Sequence, residues 1–298
     1  LKKLLKNNKI NTVFLDEKIK ETGKEVYHKL DTHWNNQGAA MGCDYILSNL
    51  KKDHYDYNNE KYTIKKNFSG DLYEMLYPKG NKKDYNIFYD KKHEYNVVSQ
   101  MKKVTDISIK TKNNGKKGSI VMYRDSFGNA LIPFVADEYG SGYFTKAVPY
   151  NWTLQDGNNA DDVVIELVER HIPHLINEAP IMEAPQRIVG SQVKEVKNCK
   201  TTVKIGELDE YLPITGTVDK NYISDDGKIF VRLKNKDRNY IFEAFPAPVT
   251  AVNNNKGYCY GLYLNIDNIK SGVYDIDIIM QKDEKLYSSG IKTNIEIQ

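Results

Sequence analysis

Apolar residues between positions 36 and 52 fall at Ala39, Ala40, Cys43, Ile46, Leu47 and Leu50, a spacing near the helical period that predicts an amphipathic helix. Upstream, residues 1–9 read as a charged helix with Leu1, Leu4 and Leu5 on one side, running into an apolar strand over 12–15. Residues 53–118 are rich in Lys, Asn and Tyr, and their strand-like runs at 62–65, 85–89 and 107–110 are separated by polar turns. That texture reads as a surface insertion more than a core. Ser119–Tyr123 is a short continuous apolar run of the kind buried in a parallel sheet. It ends in Arg124-Asp125-Ser126-Phe127-Gly128-Asn129, followed by an apolar helix through Val135. Two further units follow: a strand at 144–149 ending in Tyr150-Asn151-Trp152, and a strand at 163–167 leading into a helix over 169–177. Strands alternating with helices predict an α/β fold with a doubly wound, mostly parallel sheet, and the helix-first start indicates that its first strand is missing.

The pattern changes near Glu178, where Ala179-Pro180 and Ala184-Pro185 break the helical period. Beyond it, runs at 201–205, 212–218, 228–233, 240–244, 261–266, 272–280 and 289–297 read as strands, with Asn, Asp or Gly turns between them. This rhythm predicts an all-β, Ig-like antiparallel sandwich. The expected organisation is an α/β domain over 1–180 and a β-sandwich accessory domain over 186–298, a candidate carbohydrate-binding module.

Composition adds exclusions rather than a function. With 298 residues, 40% hydrophobic and 28% charged, the chain has enough material for two cores, and disorder is not expected. A mean hydropathy of −0.62 and the lack of any uncharged apolar run of about 18 residues exclude a membrane-spanning helix within it. A net charge of +3 is too small to indicate a nucleic-acid partner, and the short Lys pairs read as solvated loops. The scarcity of Arg beside many Lys, Tyr and Asn points to AT-rich coding bias. Cys43, Cys199 and Cys259 show no CxxC spacing, so neither a disulfide framework nor a zinc site is indicated, although Cys199 and Cys259 could pair. A start at Leu1 without a signal-peptide pattern leads to the expectation that a preceding segment, with any export signal or anchor, has been removed.

Asp31-Thr32-His33 places an acid and an imidazole at i and i+2, which in an extended segment point to the same side, so the carboxylate can orient the ring through Nδ1–H. Nε2 is then free to accept a proton. Ser126, in its strand-to-helix turn, is the best-placed hydroxyl, because amides at a helix N-terminus point outward and can stabilise an oxyanion. A positioned general base contributes about 100- to 10,000-fold, so these groups would suffice for acyl transfer. Spacing alone also admits a plainer reading, in which Asp31 is an N-cap and the pairs DxH and DS are coincidental.

The order of several stretches decides between the two. Leu30-Asp31-Thr32-His33-Trp34-Asn35-Asn36-Gln37-Gly38-Ala39, then Ser69-Gly70-Asp71-Leu72, then Tyr123 to Asn129, then Val164 to Arg170 resemble the successive landmarks of the DHHW and alginate O-acetyltransferase group, which is SGNH-hydrolase-like. The resemblance covers about residues 1–178. It implies Ser126 as nucleophile, His33 as general base and Asp31 as its orienting partner. It also implies transfer of acetyl groups onto extracytoplasmic polysaccharide, from a membrane-bound O-acyltransferase as donor, without metal or soluble cofactor. Thr32 stands where the family name has His, a change that should be tolerated because an i+1 side chain points away from the pair. No block matches the usual glycine and asparagine oxyanion donors; Gly128, Asn129 and Asn151 are candidates.

Other residues carry two readings each. Arg124 could bind a sugar carboxylate or brace the turn. Trp34, Tyr150 and Trp152 could stack on a sugar ring or belong to the core. His28 and His54 are not expected to join Asp31 and His33 around a metal, since a metal on His33 would remove the base. His171 and His174 read as helix-end residues, and Asp71 as a cap or turn. The expected function is a serine-dependent O-acetyltransferase acting on a cell-surface or secreted polysaccharide. The alternatives are an acetylesterase with the same triad and a non-catalytic glycan-binding surface protein.

Overall fold

The computed structural model describes residues 2–190, 192–246 and 258–298. In chain order its first elements are α1 (Lys2–Asn7), α2 (Leu15–Glu21), α3 (Asn36–Asn49), β1 (Tyr62–Phe68), α4 (Asp71–Leu76), β2 (Asp84–Tyr89), β3 (Asn96–Val97), β4 (Ser108–Lys112), β5 (Ser119–Tyr123), α5 (Gly128–Ala136), β6 (Ser141–Thr145), α6 (Thr153–Gly157) and β7 (Asp162–Ile165). They fall in a unit made of Leu1–Ala147 and Leu154–Glu169, apart from the first residue of α6.

Asn35 starts α3. Its backbone is extended and its side-chain oxygen accepts from the Gln37 and Gly38 amides, a cap of about 1 kcal/mol. Gly38 is needed because a Cβ there would lie 2.7 Å from the Val26 carbonyl oxygen. The helical period then buries Ala39, Ala40, Cys43 and Leu47 in one core with Leu131 and Val135 of α5 and Ile120 and Met122 of β5. The five-stranded sheet has the order β3-β4-β6-β5-β7. Its strands run parallel through β6-β5-β7, but β4 pairs antiparallel with β6 and with β3. The sheet is therefore mixed rather than mostly parallel. No helix lies between β2 and β5 to carry a parallel crossover, so this stretch joins antiparallel.

Several expectations need correction. Residues 12–15 form no strand: Leu15 opens α2, whose first turn carries Asp16 and Glu17, a charge placement that favours a helix start. The helix α1 is present over Lys2–Asn7, with Leu1 outside the described residues. The stretch 53–118 is an insertion only in part. β1 and β2 form a separate two-stranded ribbon, but β4 belongs to the main sheet and Ile109 is fully buried. The strand expected at 144–149 lies earlier, at Ser141–Thr145. The helix expected over 169–177 is a 3-10 turn at Glu169–His171 and one short turn, α7 (His174–Asn177), because Pro173 lacks an amide and disfavours a helical residue before it.

The second unit comprises Val148–Thr153 and Arg170–Gln298, so it takes in residues ahead of the change of texture near Glu178. It holds β8 (Val193–Glu195), β9 (Lys204–Ile205), β10 (Leu212–Thr217), β11 (Ile229–Lys234), β12 (Asn239–Ala244), β13 (Cys259–Leu264), β14 (Gly272–Lys282) and β15 (Lys285–Ile297). The strands make two sheets, β12-β11-β14-β15-β8 and β13-β10-β9. Alternate residues of each, Val231, Leu233, Ile276 and Ile278 from one and Ile214, Leu262 and Leu264 from the other, meet in one apolar core. Short β8, which has no hydrophobic alternation to announce it, pairs parallel with β15. Cys199 is a buried free thiol 3.2 Å from Thr201 Oγ1, so the pairing with Cys259 does not form.

Candidate active site

β5 lies between β6 and β7, and the chain passes from β5 to β6 on one side and then to β7 on the other. The carboxyl end of β5 is thus a point where strand order reverses, the place where open α/β sheets form clefts. The turn after it, residues 124–127, is held from below. Arg124 is 1% exposed, its Nη1 donates to Asp125 O and Asn129 Oδ1, and its Nη2 donates to the carbonyls of Val104 and Asp106. A Cβ at position 128 would lie 2.6 Å from Arg124 Cδ, which explains Gly128. Burial holds the Arg124 guanidinium below its ordinary pKa despite the acidic groups around it. Arg124 is therefore a brace, and its fork is closed to a sugar carboxylate.

Acidic side chains engage most of the turn's amides. Asp125 accepts from Phe127 N–H and Val168 N–H, both at 2.8 Å, and Glu166 accepts from Asp125 N–H at 3.2 Å and from Gly128 N–H. Burial, reinforced by the charge of Asp125, pushes the Glu166 carboxyl up to about 8. The outward row of free helix amides expected after Ser126 is accordingly not present: Phe127 N–H and Gly128 N–H are engaged. Among the described residues, no protein acceptor meets Ser126 N–H or Asn129 Nδ2. Asn129 Oδ1 is held by Arg124.

Ser126 itself remains half-buried, and its Oγ lies 2.8 Å from His33 Nε2. On the far side of the ring, His33 Nδ1 lies 2.6 Å from Asp31 Oδ1, which also accepts from His33 N–H at 2.8 Å. The segment is bent, not extended: the short Asp side chain captures the amide two residues on, and this Asx turn brings the ring to the carboxylate. The structure thus brings together three residues from two distant stretches, with Asp31 buried and the His33 side chain 26% exposed. With a proton on Nδ1 shared with Asp31, Nε2 is an acceptor for the Ser126 hydroxyl.

Asp71 is the site residue that sequence reasoning missed. Its N–H donates to Asp31 Oδ2 at 2.8 Å, and its carboxylate accepts from Thr32 N–H at 2.9 Å and from Thr32 Oγ1 at 2.7 Å. Burial raises the Asp71 carboxyl, but the hydroxyl and amide donors of Thr32 outweigh it and hold the group below the ordinary range. Thr32 therefore does not point away from the pair, since its hydroxyl is 3.3 Å from His33 Nδ1. Gly70 permits the contact, because a Cβ there would fall 2.1 Å from the Leu30 carbonyl oxygen. The signal was present in the Ser69-Gly70-Asp71-Leu72 stretch, where a glycine beside an acid marks close backbone approach. Asp31, His33 and Asp71 also bring ligand atoms within 4.8 Å of one another, but a cation on His33 Nδ1 would displace its hydrogen bond to Asp31.

The aromatic candidates divide between the two units. Trp34 is 4% exposed, donates from Nε1 to Phe127 O at 2.9 Å and packs edge-on to the Phe127 ring. It fixes the Ser126 turn to the start of α3 and offers no face to a sugar. Tyr150, Asn151 and Trp152 group with the second unit, where Asn151 Oδ1 accepts from Thr153 N–H and Oγ1. Two of the remaining histidines are structural: His28 stacks on Phe68 at 3.8 Å and His54 pairs with Asp44.

No protein-family model matches the sequence, and no curated protein does. Among solved structures, similarity extends to a DHHW family protein from Eubacterium siraeum, at 18% identity over 49% of this chain and 60% of that one, with a TM-score of 0.39. It extends also to Bacillus cereus PatB1 with a sulfonyl adduct, at 19% identity over 56% of this chain and 67% of that one, TM-score 0.38. A third is the O-acetyltransferase domain of Pseudomonas putida AlgJ, at 12% identity over 57% of this chain and 63% of that one, TM-score 0.32. The chain thus spans about three fifths of the length of the DHHW protein.

Proposed function

We propose that Ser126, His33 and Asp31 act as nucleophile, general base and orienting carboxylate, and that the protein is an O-acetyltransferase for a polysaccharide hydroxyl. The observation that carries this reading is the continuous relay from Asp31 Oδ1 to His33 Nδ1, at 2.6 Å, and from His33 Nε2 to Ser126 Oγ, at 2.8 Å. As Ser126 Oγ bonds to the acetyl carbonyl carbon, its proton passes to His33 Nε2. The tetrahedral intermediate then breaks the bond to the donor oxygen, which leaves with that proton. In the second half an acceptor hydroxyl attacks the acetyl-serine, His33 takes its proton, and Ser126 Oγ departs and is reprotonated. Ser126 N–H and Asn129 Nδ2 are the proposed oxyanion donors, each worth on the order of 3 kcal/mol at the transition state.

The acceptor and donor classes rest on the resemblance carried by the ordered landmarks: an extracytoplasmic polysaccharide, and a membrane-bound O-acyltransferase as the source of the acetyl group. No helix among the described residues is long and apolar enough to cross a membrane. The exposure of His33 favours a second reading, an acetylesterase in which water takes the acceptor's place. Incubation with an activated acetyl ester followed by intact-mass spectrometry tests the shared step. The expected result is a gain of one acetyl group that Ser126→Ala abolishes; an unmodified wild-type protein with every activated ester tried would favour a non-catalytic glycan-binding role. Adding oligosaccharide then separates transfer from hydrolysis by the product formed.

A further inference from the structure

We infer that α4 and the loop after it form a docking surface for anionic lipid headgroups, next to the Ser126–His33–Asp31 cluster. None of the residues of α4 is buried. Leu72, Met75 and Leu76, at i, i+3 and i+4, form one stripe and are 42, 77 and 74% exposed. Glu74 lies on the opposite side of the helix by the same periodicity, whereas Asp71, four residues before Met75, borders the stripe with its carboxylate engaged by Thr32.

Directly after the stripe come Lys79, Lys82 and Lys83, all exposed, with no acid before Asp84, which is buried and holds Leu30 N–H at 2.7 Å. The loop is folded back onto the helix. Gly80 N–H donates to Tyr77 O at 2.8 Å, the Tyr73 and Tyr77 rings lie 5.1 Å apart, and a Cβ at position 80 would lie 2.5 Å from Tyr73 Oη. Lys83 Nζ also reaches Ser69 Oγ. A short apolar stripe bordered by cations matches the chemistry of an anionic bilayer surface, with acyl chains for the stripe and phosphates for the lysines. The same helix begins at Asp71, whose N–H holds Asp31. A membrane bound here would lie beside the relay, within reach of an acyl group presented at that surface. The inference does not depend on the acyl-transfer reading, because its test needs no turnover.

Sedimentation with vesicles of phosphatidylglycerol and phosphatidylcholine, against vesicles of phosphatidylcholine alone, decides it. The expected result is binding stronger by more than about tenfold on the anionic vesicles, weakened by salt. Leu72→Ser/Met75→Ser/Leu76→Ser, all at exposed positions, should abolish binding to both. Lys79→Glu/Lys82→Glu, which leaves the stripe intact, should remove the preference for phosphatidylglycerol. No binding to anionic vesicles, or unchanged binding in both variants, would overturn the inference, whatever the outcome of the acetyl-enzyme experiment.

Discussion

Two buried aspartates, one in each unit, sit close to a basic side chain and a serine, and the two clusters are wired differently. In the second unit Asp277 accepts from Arg232 Nε at 2.6 Å, from Arg232 Nη2 at 2.8 Å and from Ser288 Oγ at 2.6 Å. Ser288 is 3% exposed and its hydroxyl spends its proton on the carboxylate. In the first unit Asp31 meets an imidazole instead, and the serine sits on the imidazole's far nitrogen rather than on the acid. The guanidinium cannot release a proton at any accessible pH, whereas imidazole accepts on one nitrogen while donating from the other. A buried acid beside a serine is therefore structural when the base is permanently charged and the hydroxyl faces inward, and chemical when a titratable ring separates the two.

Substitutions should split the clusters along that line. Ser126→Ala and His33→Ala are expected to lower the turnover of an activated acetyl ester by at least about a thousandfold with little change in urea unfolding, and Asp31→Ala by less, since it removes orientation rather than proton transfer. Asp277→Ala should do the reverse: it leaves Arg232 without its carboxylate, lowers stability by about 3 kcal/mol in urea titration and leaves ester turnover of the folded protein unchanged. Retained activity in either Ser126→Ala or His33→Ala would erase the contrast.

Glu166→Gln sharpens the contrast within the first unit by testing stability against pH. The Glu166 carboxyl titrates near 8 in the folded protein, against an ordinary value of 4.5. The folded chain thus holds a proton that the unfolded chain has released, and this contribution is fully present below pH 4.5 and lost as pH rises through about 8. Thermal unfolding of Glu166→Gln should depend less on pH across that window; an unaltered slope would mean that Glu166 is ionised in the fold. The smallest effect belongs to Asp71→Ala, about a tenfold loss of ester turnover. The backbone amide that holds Asp31 survives the change, and what is lost is the grip on Thr32 and Leu72 N–H and a second carboxylate 3.7 Å from His33 Nδ1.

Much of the layout was legible because its signals are local. The period of 36–52 announced α3, the apolar run Ser119–Tyr123 announced the central strand, and alternation beyond 212 matched the strands of the second unit with small shifts. Residues 12–15 misled because a few apolar residues cannot by themselves distinguish a strand from a helix start. β4 misled because its polar face hides Ile109, which only pairing with β6 buries. Asp71 was underread as a cap because its role lies across 40 residues, and Arg124 was open to two readings because burial alone separates a brace from a binding group.

The chain's own order of residues determined which groups are chemically able to act: an acid two positions before a histidine, and a serine placed where a strand gives way to a helix. It also determined the local devices, the Asn35 cap, the Gly128 approach to Arg124 and the Asx turn at Asp31. Tertiary structure alone decided that His33 and Ser126 meet across 93 positions, and which amides remain for an oxyanion once Asp125 and Glu166 have taken theirs. The reason is physical: caps and turns depend on neighbours along the chain, but a proton relay depends on distances of a few tenths of an ångström, and those are set by how the sheet, α3 and α5 pack.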